Sequence, residues 1–190
     1  MSGFLKQFMS SPVAVGAIAP SSARLATRMV EWIDWDGVNA VVEYGPGTGA
    51  FTGHVVDALN PSACYFGIEL NADFFETLQQ RFPEQRFYND SVENVEALCA
   101  GENVDSVDAI VCGLPWAAFS ESMQTAYLDS MLRVLRPGGQ FVTFAYLQGL
   151  MLPAGQRFRK TLNQTFDSVE QSPTVWRNMP PAFVYRCRKG

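Results

Sequence analysis

Short runs of β-branched and aromatic residues alternate along the chain with stretches whose apolar positions recur at three- and four-residue spacing. Runs 40–44, 64–69, 86–88, 107–112 and 140–146 read as strands. The near-continuous apolar character of 40–44 and 107–112 suits central strands buried on both faces. Helical patterns fall between them, at about 21–34, 50–59, 72–81, 92–100 and 121–135. The last has Ser120 as N-cap and Glu121 in its first turn, then Met123, Ala126, Tyr127, Met131 and Val134 along one face. It stops at Arg136-Pro137-Gly138-Gly139. Strand–helix alternation repeated four times predicts a parallel, doubly wound α/β sheet. The end of the chain departs from that rule. After a basic segment near 155–163, two extended runs, 166–176 and 182–188, are joined through Asn178-Met179-Pro180-Pro181, with no helix between them. They are expected to pair as an antiparallel hairpin. No repeat or interdomain linker interrupts residues 1–190, which read as a single domain.

At 47% apolar and 17% charged residues, the composition excludes general disorder and a coiled-coil rod. No segment reads as an apolar membrane span and no secretory pattern opens the chain. The net charge of −5 argues against a nucleic-acid partner. That total hides an asymmetry. Residues 1–30 carry three basic and no acidic residues, 31–154 carry four basic and seventeen acidic, and 155–190 carry seven basic and two acidic. This is either uneven surface charge or a basic face made where the two ends meet, turned toward an anionic partner. Cysteines 64, 99, 112 and 187 form no C-x-x-C motif, and Cys64 and Cys112, inside apolar runs, read as small core residues. A reduced, cytoplasmic setting is expected. With His54 the single histidine, no metal site is expected.

The strongest chemical signal is Glu43-Tyr44-Gly45-Pro46-Gly47-Thr48-Gly49, between the first strand and the next helix. Glycines at alternate positions let the backbone turn sharply and approach a ligand closely, with amides free to meet an anionic group. The spacing is neither the dinucleotide G-x-G-x-x-G nor a nucleotide P-loop. Three successive strand ends carry acids: Glu43, Glu69 and Asp90, the last followed by Ser91. An acid closing the second strand is placed to grip a ribose diol.

These residues resemble the class I S-adenosylmethionine-dependent methyltransferases, as does Leu132-Arg133-Val134-Leu135-Arg136-Pro137-Gly138-Gly139 running into the fifth strand. The resemblance implies a Rossmann-like, seven-stranded, mostly parallel sheet, its antiparallel seventh strand inserted between the fifth and sixth. It implies S-adenosylmethionine as cofactor and S-adenosylhomocysteine as product. Glu43 would help hold the methionine end, with Gly45, Gly47, Thr48 and Gly49 beneath the methionyl and ribose parts. Glu69 would bind both ribose hydroxyls, Leu70 would flank the adenine, and Asp90 with Ser91 would face its amino group.

The fourth strand ends in Cys112-Gly113-Leu114-Pro115-Trp116, where amino-directed methyltransferases carry a polar-residue–x-Pro-aromatic turn. Such a turn offers carbonyl oxygens that orient an amine and an aromatic face that shelters positive charge. Gly113 replaces the usual Asn or Asp, leaves only backbone carbonyls and makes room for a wider approach path. Gly113, Pro115, Trp116 and Tyr146 are the candidate catalytic positions. The alternatives are a strand-ending turn with a packed Trp116 and a surface Tyr146.

Near the beginning, Phe4-Leu5-Lys6-Gln7-Phe8-Met9 reads as a short amphipathic helix, either packed over the domain or dipping into a membrane interface. Residues 1–30 would form a lid. Val15-Gly16-Ala17-Ile18-Ala19-Pro20-Ser21-Ser22, the glycine loop, Gly113-Leu114-Pro115-Trp116, Phe144-Ala145-Tyr146 and Asn178-Met179-Pro180-Pro181-Ala182 together resemble the bacterial phospholipid N-methyltransferases. That family methylates the amine of phosphatidylethanolamine. The resemblance places Ile18, Ser21, Ser22 and Gly113 beside the cofactor, although Ser21 and Ser22 also read as simple helix caps. It implies an amino-lipid substrate and reversible contact with the inner, anionic membrane surface. A soluble amine, an RNA adenine, or binding of the cofactor without turnover are the alternatives.

Overall fold

A computed structural model describes residues 23–190. Its elements are α1 (Ala23–Glu31), β1 (Ala40–Tyr44), α2 (Thr52–Ala58), β2 (Cys64–Ile68), α3 (Ala72–Arg81), β3 (Arg86–Tyr88) and α4 (Val95–Gly101). There follow β4 (Val107–Cys112), α5 (Glu121–Val134), β5 (Leu135–Tyr146), α6 (Pro153–Thr165), β6 (Ser168–Gln171) and β7 (Ala182–Arg188). The seven strands form one sheet in the order β3-β2-β1-β4-β5-β7-β6. Strands β1 to β5 pair in parallel, whereas β7 runs antiparallel to both neighbours. The doubly wound sheet and its closing hairpin are therefore as the sequence predicts, with the seventh strand inserted between the fifth and sixth.

Alternation along the central strands builds two cores. Tyr44, Ile110, Phe141 and Phe183 face one side, with Met131 of α5 and Phe158 and Leu162 of α6. Their neighbours Val111, Val142 and Val184 face the other, with Leu25 and Met29 of α1, Val55 of α2 and Leu78 of α3. Strands β1 and β4 are thus buried at every position because each face is roofed by helices, with Glu43 and Asp108 the charged residues in otherwise apolar runs. Local caps set the helix starts: Asn71 Oδ1 accepts from Phe74 N at 3.0 Å, and Ser120 Oγ from Met123 N at 3.3 Å.

Several boundaries differ from the sequence reading. The helix expected over 92–100 begins as a 3₁₀ turn, Val92–Asn94, and becomes α-helical at Val95. Arg136-Pro137-Gly138-Gly139 follows the end of α5 but is already part of β5, because Gly138 N donates to Lys189 O and Lys189 N to Gly139 O. The basic segment near 155–163 lies inside α6, whose buried residues are Phe158 and Leu162. The run 166–176 is a strand only over Ser168–Gln171. Pairing extends to Ser172, whose N–H donates to Val184 O, before Pro173, which has no N–H, interrupts the ladder. Cys64 is half-buried rather than a core residue, whereas Cys99, Cys112 and Cys187 are buried; all four are free thiols.

Candidate functional site

The C-terminal ends of β1, β2, β4 and β5 surround a cavity of about 620 Å³. Backbone bonds between neighbouring strand ends fix its floor: Gly45 N donates to Ile68 O at 2.9 Å, and Gly113 N to Tyr44 O at 2.8 Å. The loop between β1 and α2 closes on itself through Gly49 N and Pro46 O at 2.9 Å. Gly47 has φ of 60°, and a Cβ added there would meet nothing within 4 Å. Its left-handed backbone and open space leave a cradle where a ligand can lie against bare main chain.

Glu69, 4% exposed, lines this cavity at the end of β2. Its Oε2 accepts from Gly47 N and its Oε1 from Asn71 N, both at 2.9 Å. Each carboxylate oxygen keeps a further acceptor site, the pattern a vicinal diol requires. Burial pushes the Glu69 carboxyl above its ordinary value, and the backbone donors pull it back. Asp90 Oδ1 accepts from Ser91 N and Asn94 Nδ2, both at 2.7 Å, while Oδ2 accepts from none of the described residues. Asp90 can therefore receive an exocyclic amine. Leu70 is 39% exposed at the same rim. The cradle, the paired carboxylate oxygens and the open Asp90 oxygen fit the ribose and adenine of S-adenosylmethionine.

Of the candidate positions, Gly45, Gly47, Thr48, Glu69, Leu70, Asp90, Ser91, Gly113, Pro115, Trp116 and Tyr146 line the cavity. Two others sit behind it. Gly49 packs under the loop, where an added Cβ would come within 2.4 Å of the Phe82 ring. Glu43 is fully buried and does not line the cavity, its Oε2 accepting from Thr52 Oγ1 at 2.9 Å and Tyr65 OH at 2.5 Å. Burial raises its carboxyl to about 7, and Oε1 has no partner among the described residues. Through these bonds Glu43 joins β1, β2 and α2. Ile18, Ser21 and Ser22, with the amphipathic 4–9 segment, lie outside the described residues.

Gly113 has a different cause from the one its sequence position suggests. A Cβ there would lie 2.6 Å from Gly45 O, so the glycine permits close backbone approach between β1 and β4 rather than a wider path. Trp116 lines the cavity but is 3% exposed, its ring stacked on Phe158 at 4.6 Å and 11°. It is both a packed residue and part of the wall. Tyr146 is half-buried, edge-on to Phe144 at 5.4 Å, and burial pushes its phenol up.

The cavity continues beyond these residues into a lobe walled by Phe119, Tyr127, Leu150, Leu152, Phe158 and Tyr185. None of the six belongs to a local site motif in the sequence, where Phe158 and Tyr185 lie more than a hundred residues from the glycine loop. Leu152 both lines the lobe and is 52% exposed, so it marks the mouth; Met151 beside it is 83% exposed. Among the described residues lining the cavity, Glu69 and Asp90 are charged and no Arg, Lys or His is present. The site therefore favours cationic or neutral occupants.

The ornithine lipid N-methyltransferase of Singulisphaera acidiphila is 28% identical over 188 residues, spanning 97% of this chain and 94% of the relative. The structure is similar to an O-methyltransferase from Bacillus cereus in complex with SAH (TM-score 0.73, 12% identity, 100% of this chain and 92% of that one). It is also similar to a putative rRNA methylase from Clostridium thermocellum (TM-score 0.63, 16% identity, 91% and 98%). At such identities the structural likeness speaks for the fold. Residues 41–139, more than half of the chain and spanning the glycine loop through Gly139, match the methyltransferase domain model. The chain accordingly belongs to the methyltransferase domain family, as a class I S-adenosylmethionine-dependent enzyme.

Proposed function

We infer that the protein transfers a methyl group from S-adenosylmethionine to the amine of an amino lipid at a membrane surface. The observation that carries this reading is the apolar lobe that runs from the turn after β4 to exposed Leu152, next in sequence to exposed Met151. A lipid can keep its tail at the mouth while its amine reaches the strand ends. The relative named as an ornithine lipid N-methyltransferase supports an amine carried on a lipid.

When bound, the cofactor supplies an electrophilic methyl group and leaves as S-adenosylhomocysteine. Gly47 and Glu69 hold its ribose side, and Asp90 with Ser91 its adenine. The amine must enter without its extra proton, since an ammonium has no lone pair. No histidine lines the cavity among the described residues, so proton release to water fits better than a histidine base. The carbonyls of Gly113 and Pro115 and the Tyr146 hydroxyl orient the nitrogen, and the Trp116 and Tyr146 rings shelter the cationic product. Such positioning is worth up to roughly 7–11 kcal/mol of barrier.

Membrane contact would be reversible. Arg157, Arg159 and Lys160 on α6 come within two turns of Met151 and Leu152 in sequence, after Pro153-Ala154-Gly155-Gln156, and all five are exposed. This adds diffuse basic charge near protruding apolar side chains. Among the described residues, no helix is long and apolar enough to cross a membrane.

The test is incubation with methyl-labelled S-adenosylmethionine and a total lipid extract, with products resolved by mass. Label is expected on lipid amines, in steps of one methyl group. Label confined to a soluble amine or to RNA adenine contradicts the reading, as does cofactor binding without turnover.

A further inference from the structure

A second concavity, of about 340 Å³, lies outside the methyl-transfer cavity, between α1 and the connection from β6 to β7. Arg24, Arg28 and Glu31 come to it from α1, and Trp176 and Arg177 from the connection. The local sequence explains how they meet. Leu25, Ala26 and Met29 bury one side of α1, which leaves Arg24 and Arg28, four residues apart, together on another. On the connection, Val175 N donates to Ala182 O at 2.7 Å and Asn178 N to Val175 O at 3.1 Å. Buried Asn178 donates Nδ2 to Pro180 O at 2.7 Å. Trp176 and Arg177 are thus the central residues of a pinned turn and do not have to be ordered by a ligand.

The charge is unbalanced. Three guanidinium groups share the concavity with one carboxylate, Glu31, which approaches Arg28 at 3.8 Å. Arg24 and Arg177 have no acidic partner among the described residues. Guanidinium forks match phosphate oxygens in pairs. A small soluble anion would use the arginines alone. Here Trp176 is 69% exposed and Met179, on the same connection, is 83% exposed. Large apolar side chains protruding beside cations are suited to the boundary between headgroups and acyl chains.

The placement links this feature to the reaction. Ala182 is the register partner of Tyr146, and Leu147 N donates to Pro181 O at 2.8 Å. The connection is therefore tied to the strand end that carries Tyr146 at the cavity wall. We propose that Arg24, Arg28 and Arg177 form a site for the phosphate of an anionic membrane lipid, with Trp176 and Met179 entering the interface beside it. The site is distinct from the methyl-transfer cavity and sets that cavity's rim against the bilayer. It rests on the membrane-surface reading above, but its occupancy is measurable without turnover.

The test is co-sedimentation of the full chain with phosphatidylglycerol–phosphatidylcholine vesicles and with phosphatidylcholine vesicles, in the absence of cofactor and amino lipid. Arg24→Ala/Arg28→Ala/Arg177→Ala is compared with Arg157→Ala/Arg159→Ala/Lys160→Ala, which removes the same charge from α6. The first variant is expected to lose about a hundredfold in affinity for the anionic vesicles, and at least tenfold more than the second. Equal losses mean diffuse attraction and overturn the site. Anionic vesicles are expected to shift tryptophan emission to the blue in the wild type and not in Trp176→Phe; the same shift in both overturns the placement of Trp176. Inorganic phosphate that binds the protein without vesicles at least as tightly as the anionic vesicles do, with that binding lost in the triple variant, overturns the lipid assignment in favour of a soluble anion. Should the triple variant not fold, exposed Arg177→Ala alone is expected to lose about fivefold, and unchanged affinity overturns the site. Methyl transfer to detergent-dispersed amino lipid is measured in parallel. Its absence in the wild type defeats the amino-lipid reading while vesicle binding still reports on this site.

Discussion

The main-chain N–H of Gly47 donates to Glu69 Oε2 across 2.9 Å, joining the loop after β1 to the tip of β2. One carboxylate thereby holds the glycine loop in shape and still presents acceptor sites to the cavity. The loop and the acid act as one device, because removing either loosens the position of the other.

Gly113 is held to glycine by backbone crowding against Gly45 O, 2.6 Å from where a Cβ would stand. Gly113→Ala is expected to destabilise the protein by about 1–3 kcal/mol, as overpacking generally does. Gly113→Asn, which restores the residue common in amino-directed turns, is expected to destabilise at least as much and not to create activity on adenine. Urea unfolding checks the first outcome and methyl incorporation into RNA the second.

Glu43 makes stability depend on pH. Its carboxyl is raised from 4.5 to about 7 by burial, against which the Tyr65 and Thr52 hydrogen bonds act. Between those values the unfolded chain loses this proton and the folded chain keeps it. The folded state then binds more protons, so this residue's contribution falls as pH rises through the window, by about 3 kcal/mol in all. Glu43→Gln removes the titration while keeping an acceptor oxygen. Its stability relative to wild type is expected to improve from pH 5 to pH 8; a constant difference across that range refutes the assignment.

Tyr146 is assigned an orienting hydroxyl. Tyr146→Phe keeps the edge-on contact with Phe144 and is expected to lower kcat about five- to tenfold, the scale of one hydrogen bond. Cofactor affinity is expected to stay unchanged. An unaltered kcat would leave the ring as packing alone.

What the sequence could and could not disclose follows from the range of the forces involved. The β1–α2 glycine loop and the acids at 69 and 90 were legible because strand, turn and acid are local patterns. The closing hairpin was legible because no helix separates its strands. The early start of β5 was not, since Gly138 and Gly139 become strand through Lys189, fifty residues away in sequence. In the sequence, α6 shows only as a basic segment. Its buried stripe is Phe158 and Leu162, too thin to stand out among exposed arginines and lysine. The apolar lobe is invisible for the same reason, being assembled from the turn before α5, α5 itself, the segment before α6, α6 and β7. Glu43 is legible as an acid at a strand end, but strand alternation alone does not say that its carboxylate is buried against Thr52 and Tyr65 rather than lining the cavity.

The cavity as a cofactor site is the claim on which the lipid reading stands, and calorimetry with S-adenosylmethionine tests it most directly. Wild-type protein is expected to bind one equivalent and to show no binding of NAD. Glu69→Ala, which removes both acceptor oxygens and frees Gly47 N–H, is expected to weaken binding by at least tenfold, in line with charged hydrogen bonds of about 1.5–3 kcal/mol. Unchanged affinity in that variant, with the fold intact, would place the cofactor elsewhere and remove the basis for the reaction described here.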